Sequence, residues 1–259
     1  MRVFKYFLLL ILLFVTIISC TKDKPIDDGD DGPNTSAYGA VTIKFENKVG
    51  SNPLILDFKD YINLNGDSFR VSMFNYYISN VKLFATDNSV FIEKESYHLV
   101  SAGDVNSMQF TIANVPAKSY SSISFLIGVD SLRNTSGAQT GALDPGNGHF
   151  WSWNSGYIMT KFEGTSPKSN AVANVVLFHV GGFSGSNSVL KTVLLPLTSN
   201  ATVSAKIIPQ IFLKADLAEW FSPNPVDFSK LNTIHMPGID AKKMADNYAN
   251  MFSITQVLN

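Results

Sequence analysis

Phe69-Arg70-Val71-Ser72-Met73-Phe74-Asn75-Tyr76-Tyr77-Ile78-Ser79-Asn80-Val81-Lys82-Leu83-Phe84-Ala85 is the stretch on which the fold turns. Large apolar side chains recur at or near every second position, and that alternation sends one face of an extended chain into a core and the other towards water. Two strands are expected here, residues 69–74 and 76–85. Outward from them, short β-branched and aromatic runs recur at 41–46, 97–100, 108–112, 123–128, 156–163, 172–180, 188–195 and 202–213. Clusters of Gly, Asn, Ser and Pro separate these runs. The pattern predicts an all-β chain: a single antiparallel β-sandwich, Greek-key-like, with long loops and a short C-terminal helix. That helix is expected over 239–252, where Ala241, Met244, Ala245, Tyr248, Met251 and Phe252 fall at helical spacings and Asp240 is placed to cap the start. One or two further turns are expected over 216–221.

Composition narrows the function classes. With 45% hydrophobic and 16% charged residues among 259, the chain reads as globular rather than disordered. Twenty basic against twenty-one acidic residues leave no broad basic surface, so nucleic-acid binding is not expected. A single cysteine excludes a disulfide framework and a cysteine-based zinc site.

Residues 1–19 read as an address. Arg2 and Lys5 precede an apolar run over 7–18 in which only Thr16 is polar, the order of a secretory signal, and the run is short for a membrane span. It ends Ile17-Ile18-Ser19-Cys20, which resembles a bacterial lipobox; cleavage before Cys20 would leave its thiol and amino group to carry lipid. Residues 20–38 then read as an acidic tether, because Asp23, Asp27, Asp28, Asp30 and Asp31 with almost nothing apolar give no core to offset ordering entropy. The Asp-Gly run lacks the ligand alternation and closing glutamate of a calcium loop. Such a tether resembles the surface-export signals of Bacteroidetes lipoproteins. A cell-envelope protein is expected, in the outer membrane and facing periplasm or cell surface, with residues 39–259 as its one folded domain.

Residues 128–156 carry the densest chemistry. Six glycines in 29 residues with no sustained period imply a long excursion between two strands, and such loops are usually functional or disordered. Phe150, Trp151, Trp153 and His149 near its end argue for order. Asp144-Pro145-Gly146-Asn147-Gly148 is a turn by residue chemistry and delivers His149 and Trp151 back to the sheet. An imidazole beside indoles suits a soft-metal or redox environment. His179 ends an apolar strand just before Gly181-Gly182, and His235 stands next to Met236, a potential thioether ligand; His98 is the fourth imidazole. No GxSxG elbow, HExxH helix, P-loop or GxGxxG turn occurs, so catalysis is not expected.

Phe74-Asn75-Tyr76-Tyr77-Ile78-Ser79-Asn80, Gly128-Val129-Asp130-Ser131, Leu143-Asp144-Pro145, Phe150-Trp151-Ser152-Trp153-Asn154-Ser155-Gly156-Tyr157, Lys161-Phe162-Glu163-Gly164, Phe178-His179-Val180-Gly181-Gly182 and Ala245-Asp246-Asn247-Tyr248 together resemble the MbnP-like domain family. The resemblance implies an envelope β-sandwich related to copper-binding proteins. In these, histidines hold copper together with a tryptophan oxidised to kynurenine by a dihaem peroxidase of the MauG type. It points to His179 as ligand and to Trp151 or Trp153 as the modified residue. Copper-binding relatives carry histidine near the first strand, where this chain has Glu46-Asn47-Lys48-Val49-Gly50, and a charged lysine cannot replace an imidazole. His149, and beyond it His235, would have to complete the set. The expectation is thus a lipid-anchored copper-binding or copper-handling protein. Its rivals are a surface module that stacks glycan or peptide on exposed Trp151 and Trp153, and a structural subunit that has lost its metal.

Overall fold

The computed structural model describes residues 37–137, 139–151 and 156–259. The signal segment, Cys20 and Trp153 lie outside them. In chain order the strands are β1 (Tyr38–Val49), β2 (Asn52–Pro53), β3 (Asp60–Ile62), β4 (Ser68–Ala85), β5 (Val90–Ile92), β6 (Tyr97–Ser101), β7 (Gln109–Pro116) and β8 (Ser119–Ile127). After helix α1 (Ser131–Asn134) come β9 (Phe150–Trp151), β10 (Gly156–Thr165), β11 (Val175–Gly181), β12 (Lys191–Thr202), β13 (Gln210–Asp216) and β14 (Thr233–Ile234). Helix α2 (Ile239–Tyr248) and β15 (Phe252–Leu258) follow.

Two sheets face each other. The smaller runs β15-β13-β1-β2 with β7 also on β1; the larger runs β12-β8-β4-β10-β11-β14, with β3, β5 and β6 on β4 and β9 on β10. The all-β sandwich is therefore as expected, and most pairings are antiparallel. β1 with β13 and β11 with β14 run parallel.

Aromatic rings weld the sheets together. Phe252 of β15 meets Phe45 at 6.1 Å, Tyr76 at 5.4 Å and Phe125 at 5.1 Å, each edge to face. A second knot joins Phe69 to Phe221 at 5.1 Å and to Phe162 at 5.9 Å, with Trp220 against Phe74. Each such pair contributes about 1 kcal/mol beyond its buried area. His98 belongs to this scaffolding too: its ring lies flat on Phe110 at 3.5 Å, linking β6 to β7.

β4 organises everything around the excursion. Tyr76 pairs with Thr160 of β10 on one side and Val100 of β6 on the other, while Ile78 pairs with Ile127 of β8 and His98 of β6. β8 and β10 consequently share one edge of β4, and both run antiparallel to it. One takes residues 78–85, the other residues 70–76. The chain leaves the edge at Gly128 and rejoins it where it left.

Several local expectations are corrected. Residues 69–74 and 76–85 form one strand, which Asn80 kinks by adopting φ 54°. Residues Val172–Asn174 form a 3₁₀ turn, so the strand starts at Val175. The strand expected over 188–195 starts at Lys191 and runs on through Thr202. β13 begins only at Gln210, because the chain between bends at Ala205 and Lys206, where the Ser204 amide donates to the Ile207 carbonyl. α2 stops at Tyr248, and Phe252 opens a strand instead of closing the helix, since its ring is needed between the sheets. Asp240 lies within the first turn and Gly238 is the cap; at the other expected turn, Leu217–Phe221, a 3₁₀ turn forms and Asp216 caps it by accepting from the Ala218 amide.

At Gly164 the β4–β10 ladder is so tight that a β-carbon would stand 2.0 Å from the Arg70 carbonyl oxygen. Backbone offers no flexible end to move aside. Gly164→Ala should destabilise the protein by about 2–3 kcal/mol, measured by urea unfolding.

Candidate metal centre on the outer face of the large sheet

Sandwich strands normally leave their outer face wet, yet Tyr77 on that face is completely buried. The excursion roofs it. Tyr77 donates its hydroxyl to the Ala142 carbonyl (2.8 Å) and meets Tyr157 and His149 edge-on. Tyr157 in turn donates to the Leu143 carbonyl (2.6 Å). At the base, Ser79 donates to the Gly128 carbonyl (2.7 Å), and Asp130 accepts from Tyr97 (2.6 Å) and Asn80 (3.2 Å) while capping α1. Burial alone would raise the Asp130 pKa, but these bonds outweigh it and hold the carboxyl below its usual value. Buried Asn134 finishes the clamp, donating to the Val129 carbonyl (2.6 Å) and accepting from the Tyr157 amide (2.8 Å). The turn over 144–148 has the expected form: Asp144 accepts from the Gly146 amide and Gly148 is left-handed at φ 73°.

His149 is thereby set on the sheet's outer face. Its Nδ1 lies 3.1 Å from the Ile158 carbonyl, which can only accept, so Nδ1 carries the proton. Nε2 is then the lone pair, and the Asn75 amide donates to it at 3.3 Å. Burial lowers the imidazole pKa to about 4; the Ile158 carbonyl opposes this, and the Lys161 ammonium and nearby His179 add to it. At neutral pH it is an uncharged ring.

Across the strands, Asn75 pairs with Lys161 and Lys161 with His179, one row on one face. His179 Nε2 sits 2.7 Å from Glu163 Oε1. Burial lowers the His179 pKa, more than the Glu163 carboxylate raises it, with Lys161 and His235 lowering it further. The pair is best described as a neutral imidazole donating to a carboxylate, which leaves Nδ1 as its lone pair. His235 is exposed and lies just past β14, whose Ile234 pairs with Phe178, the residue before His179. Lys161 donates to the Gly148 carbonyl at 2.5 Å and so ties the residue before His149 to the row.

Of the histidines chosen from sequence, His149 and His179 thus lie on the outer face around β10 and β11, His235 follows the short strand next to β11, and His98 packs on Phe110 instead. Glu163, Asn75 and Lys161 were legible only as parts of motifs. What marks them is period two: they occupy the wet face of strands whose alternate positions are core. Among the described residues no three His, Cys, Asp or Glu side chains converge on one ion position.

Trp151 is 7% exposed and lies against β11. A β-carbon at Gly181 would fall 2.5 Å from the Trp151 ring and 2.8 Å from the Tyr157 carbonyl, so the glycine is what lets the indole seat there. Its cleft, about 260 Å³, is completed by Tyr157, Gly182, Phe183 and Pro237. A buried Trp151 removes one of the two exposed faces that glycan stacking would need. Near the first strand, Asn47 accepts from the Tyr76 hydroxyl (3.0 Å) and Lys48 pairs with Glu46.

The family model described as MbnP matches residues 38–237. The chain belongs to the MbnP family. Among solved structures, MbnP from Methylosinus trichosporium is similar in fold, with a TM-score of 0.54 at 12% identity over 78% of this chain and 83% of that one. No curated protein matches in sequence. The stretches that resemble the family turn out to be clamps. Ser79 and Asn80 hold Gly128 and Asp130, Glu163 holds His179, and Gly181 seats Trp151. In α2, Asn247 bonds the Trp220 carbonyl while Tyr248 bonds Val189.

The His149 shift has a direct consequence for stability. Its folded pKa, about 4, lies below the ordinary 6.5 of the unfolded chain, so between these values the unfolded chain binds more protons. That contribution is complete above pH 6.5 and is lost as the pH falls towards 4, about 3 kcal/mol in all. Unfolding free energies measured from pH 7 to pH 4.5 should fall more steeply for wild type than for His149→Phe.

Proposed function

We propose that this MbnP-family protein binds or handles copper at the cell envelope, anchored by lipid at Cys20 and without catalysis of its own. The observation that carries the reading is the state of two imidazoles. His149 and His179 each spend one ring N–H on an orienting acceptor, a carbonyl and a carboxylate, and keep the other nitrogen as a lone pair. Ligating histidines are held in this way, with the outer partner fixing tautomer and ring direction. Both are also neutral by burial, the form a cation requires. The donor chemistry therefore fits copper, for which imidazole is a suitable ligand.

In this reading His149 Nε2 and His179 Nδ1 would hold the ion. Asn75 keeps the His149 lone pair hydrogen-bonded until a ligand displaces it. Bound copper would supply a redox-active Lewis acid; the protein's part is to orient nitrogen ligands and limit water. Trp151, seated on Gly181 two positions beyond His179, and Trp153 are the proposed substrates of a MauG-type dihaem peroxidase.

The test is Cu(I) reconstitution followed by dialysis. Wild type should retain one equivalent, His179→Ala should lose it, and Glu163→Gln should weaken binding by about 10–100-fold. Full retention by His179→Ala would overturn the site. Separately, Cys20→Ser should move the protein from the detergent phase to the aqueous phase on extraction of whole cells.

A further inference from the structure

Exposed apolar side chains gather where the chain enters the sandwich. Tyr38 opens β1, the segment between β12 and β13 presents Ile207 and Ile208 beside it, and Leu258 closes β15; all four are 39–56% exposed. Backbone contacts hold them at one end of the domain. The Ala117 amide donates to the Ala37 carbonyl (2.9 Å), the Thr42 amide to the Pro209 carbonyl (2.9 Å), and Leu258 pairs with Gln210. A β-carbon at Gly39 would stand 2.4 Å from the Ser204 carbonyl oxygen. Nor is the segment loose: the Ser204 hydroxyl accepts from the Ile207 amide (3.1 Å) and the Ser204 amide donates to the Ile207 carbonyl (3.2 Å). Single exposed apolar side chains are ordinary on a protein surface, but four around one chain entry call for a partner.

We propose that this end of the domain is a second membrane contact, seated on the lipid surface that holds Cys20. The inference rests on the lipid anchor proposed above and adds an orientation to it. Residues 21–36 join Cys20 to the patch and span at most about 60 Å, so the patch is held near the bilayer. A contact too small to bind a membrane on its own becomes effective when a tether makes it intramolecular. Tyr38 suits the position, since a phenol with an apolar ring and a polar tip favours the boundary between lipid and water. Lys206, exposed beside Ile207, can lay its stem along the apolar surface and reach a lipid phosphate with its ammonium. The Asp87 carboxylate at this end is already paired with Lys118 (2.8 Å). The opposite end also exposes apolar side chains, Phe58, Ile62 and Leu64, but the 18 residues of β4 separate the two ends by about 55 Å. Bringing that end to the bilayer would demand a tether almost fully stretched. Standing on the near end instead, the sandwich holds Tyr77 and its roof about 25 Å above the lipid, clear for a partner.

The lipidated full chain carries the test. Cys20 is its only cysteine and would be blocked by lipid, so a thiol-reactive dye reports one introduced site. Ala205→Cys marks the near end and Asn65→Cys the far end; both positions are exposed. Each labelled protein is reconstituted into phosphatidylcholine–phosphatidylglycerol liposomes with and without lipid carrying a nitroxide on its headgroup. The dye at 205, carried into a boundary about 5–10 Å deep, should lose most of its emission to the nitroxide, and the dye at 65 almost none. Adding Ile207→Asp and Ile208→Asp to the Ala205→Cys chain should abolish that loss; Ile207→Ser with Ile208→Ser is read instead if the aspartates prevent folding. Equal quenching at the two sites, stronger quenching at 65, or a loss at 205 that survives the polar substitutions would overturn the contact and leave the anchor standing. Liposomes that fail to carry the wild-type chain on flotation would overturn the anchor and this inference with it.

Discussion

One long strand with two partners along the same edge is the constraint from which the rest follows. Because β8 and β10 lie end to end on β4, the 28 residues between them have no room within the sheet and must project from its middle. An excursion forced outward at that point has one apolar surface within reach, the outer face at Tyr77. It covers that face and so carries His149 onto a row of side chains that would otherwise face only water. The buried hydrogen bonds of Asn134, Asp130, Tyr77 and Tyr157 make the arrangement unique, since each would cost about 1–3 kcal/mol if left unmade.

The outer face therefore differs from an ordinary sandwich surface in its electrostatics. A buried imidazole, His149, and a partly buried one, His179, stay neutral, an ammonium is held by the Gly148 carbonyl, and one carboxylate serves as an acceptor instead of a free charge. Groups of this kind are expensive to keep together unless each is satisfied locally. Here every one of them has a partner on a neighbouring strand or on the returning loop. Several of the stretches that resemble the family serve in the same way, as bonds that fasten the excursion to the sheet.

Much of this was legible in the sequence because period two is a local signal. Phe69 to Ala85, the 123–128 run and the strand ending at His179 all announce themselves by alternation, and Asp144 to Gly148 announces its turn by residue type. The missing parts are those decided by distant partners. Phe252 reads as the end of a helical stripe until Phe45, Tyr76 and Phe125 supply a pocket for its ring. Residues 172–174 have strand propensity, but Ala173 and Asn174 adopt positive φ to turn the β10–β11 hairpin. Within the site, the histidines stood out by rarity. Lys161 and Asn75 did not, because a polar residue at an alternate strand position usually means only solvent; that these two face an imidazole is a property of register across three strands.

Gly181 gives Trp151 a seat with no clearance, the indole lying against bare backbone on that side. The nearest atoms are Cζ3 and Cη2, so it is the six-membered edge of the indole that is walled in, while the cleft of Phe183 and Pro237 borders the ring as well. A side chain as small as a methyl at position 181 would drive into that edge and dislodge the ring from the strand.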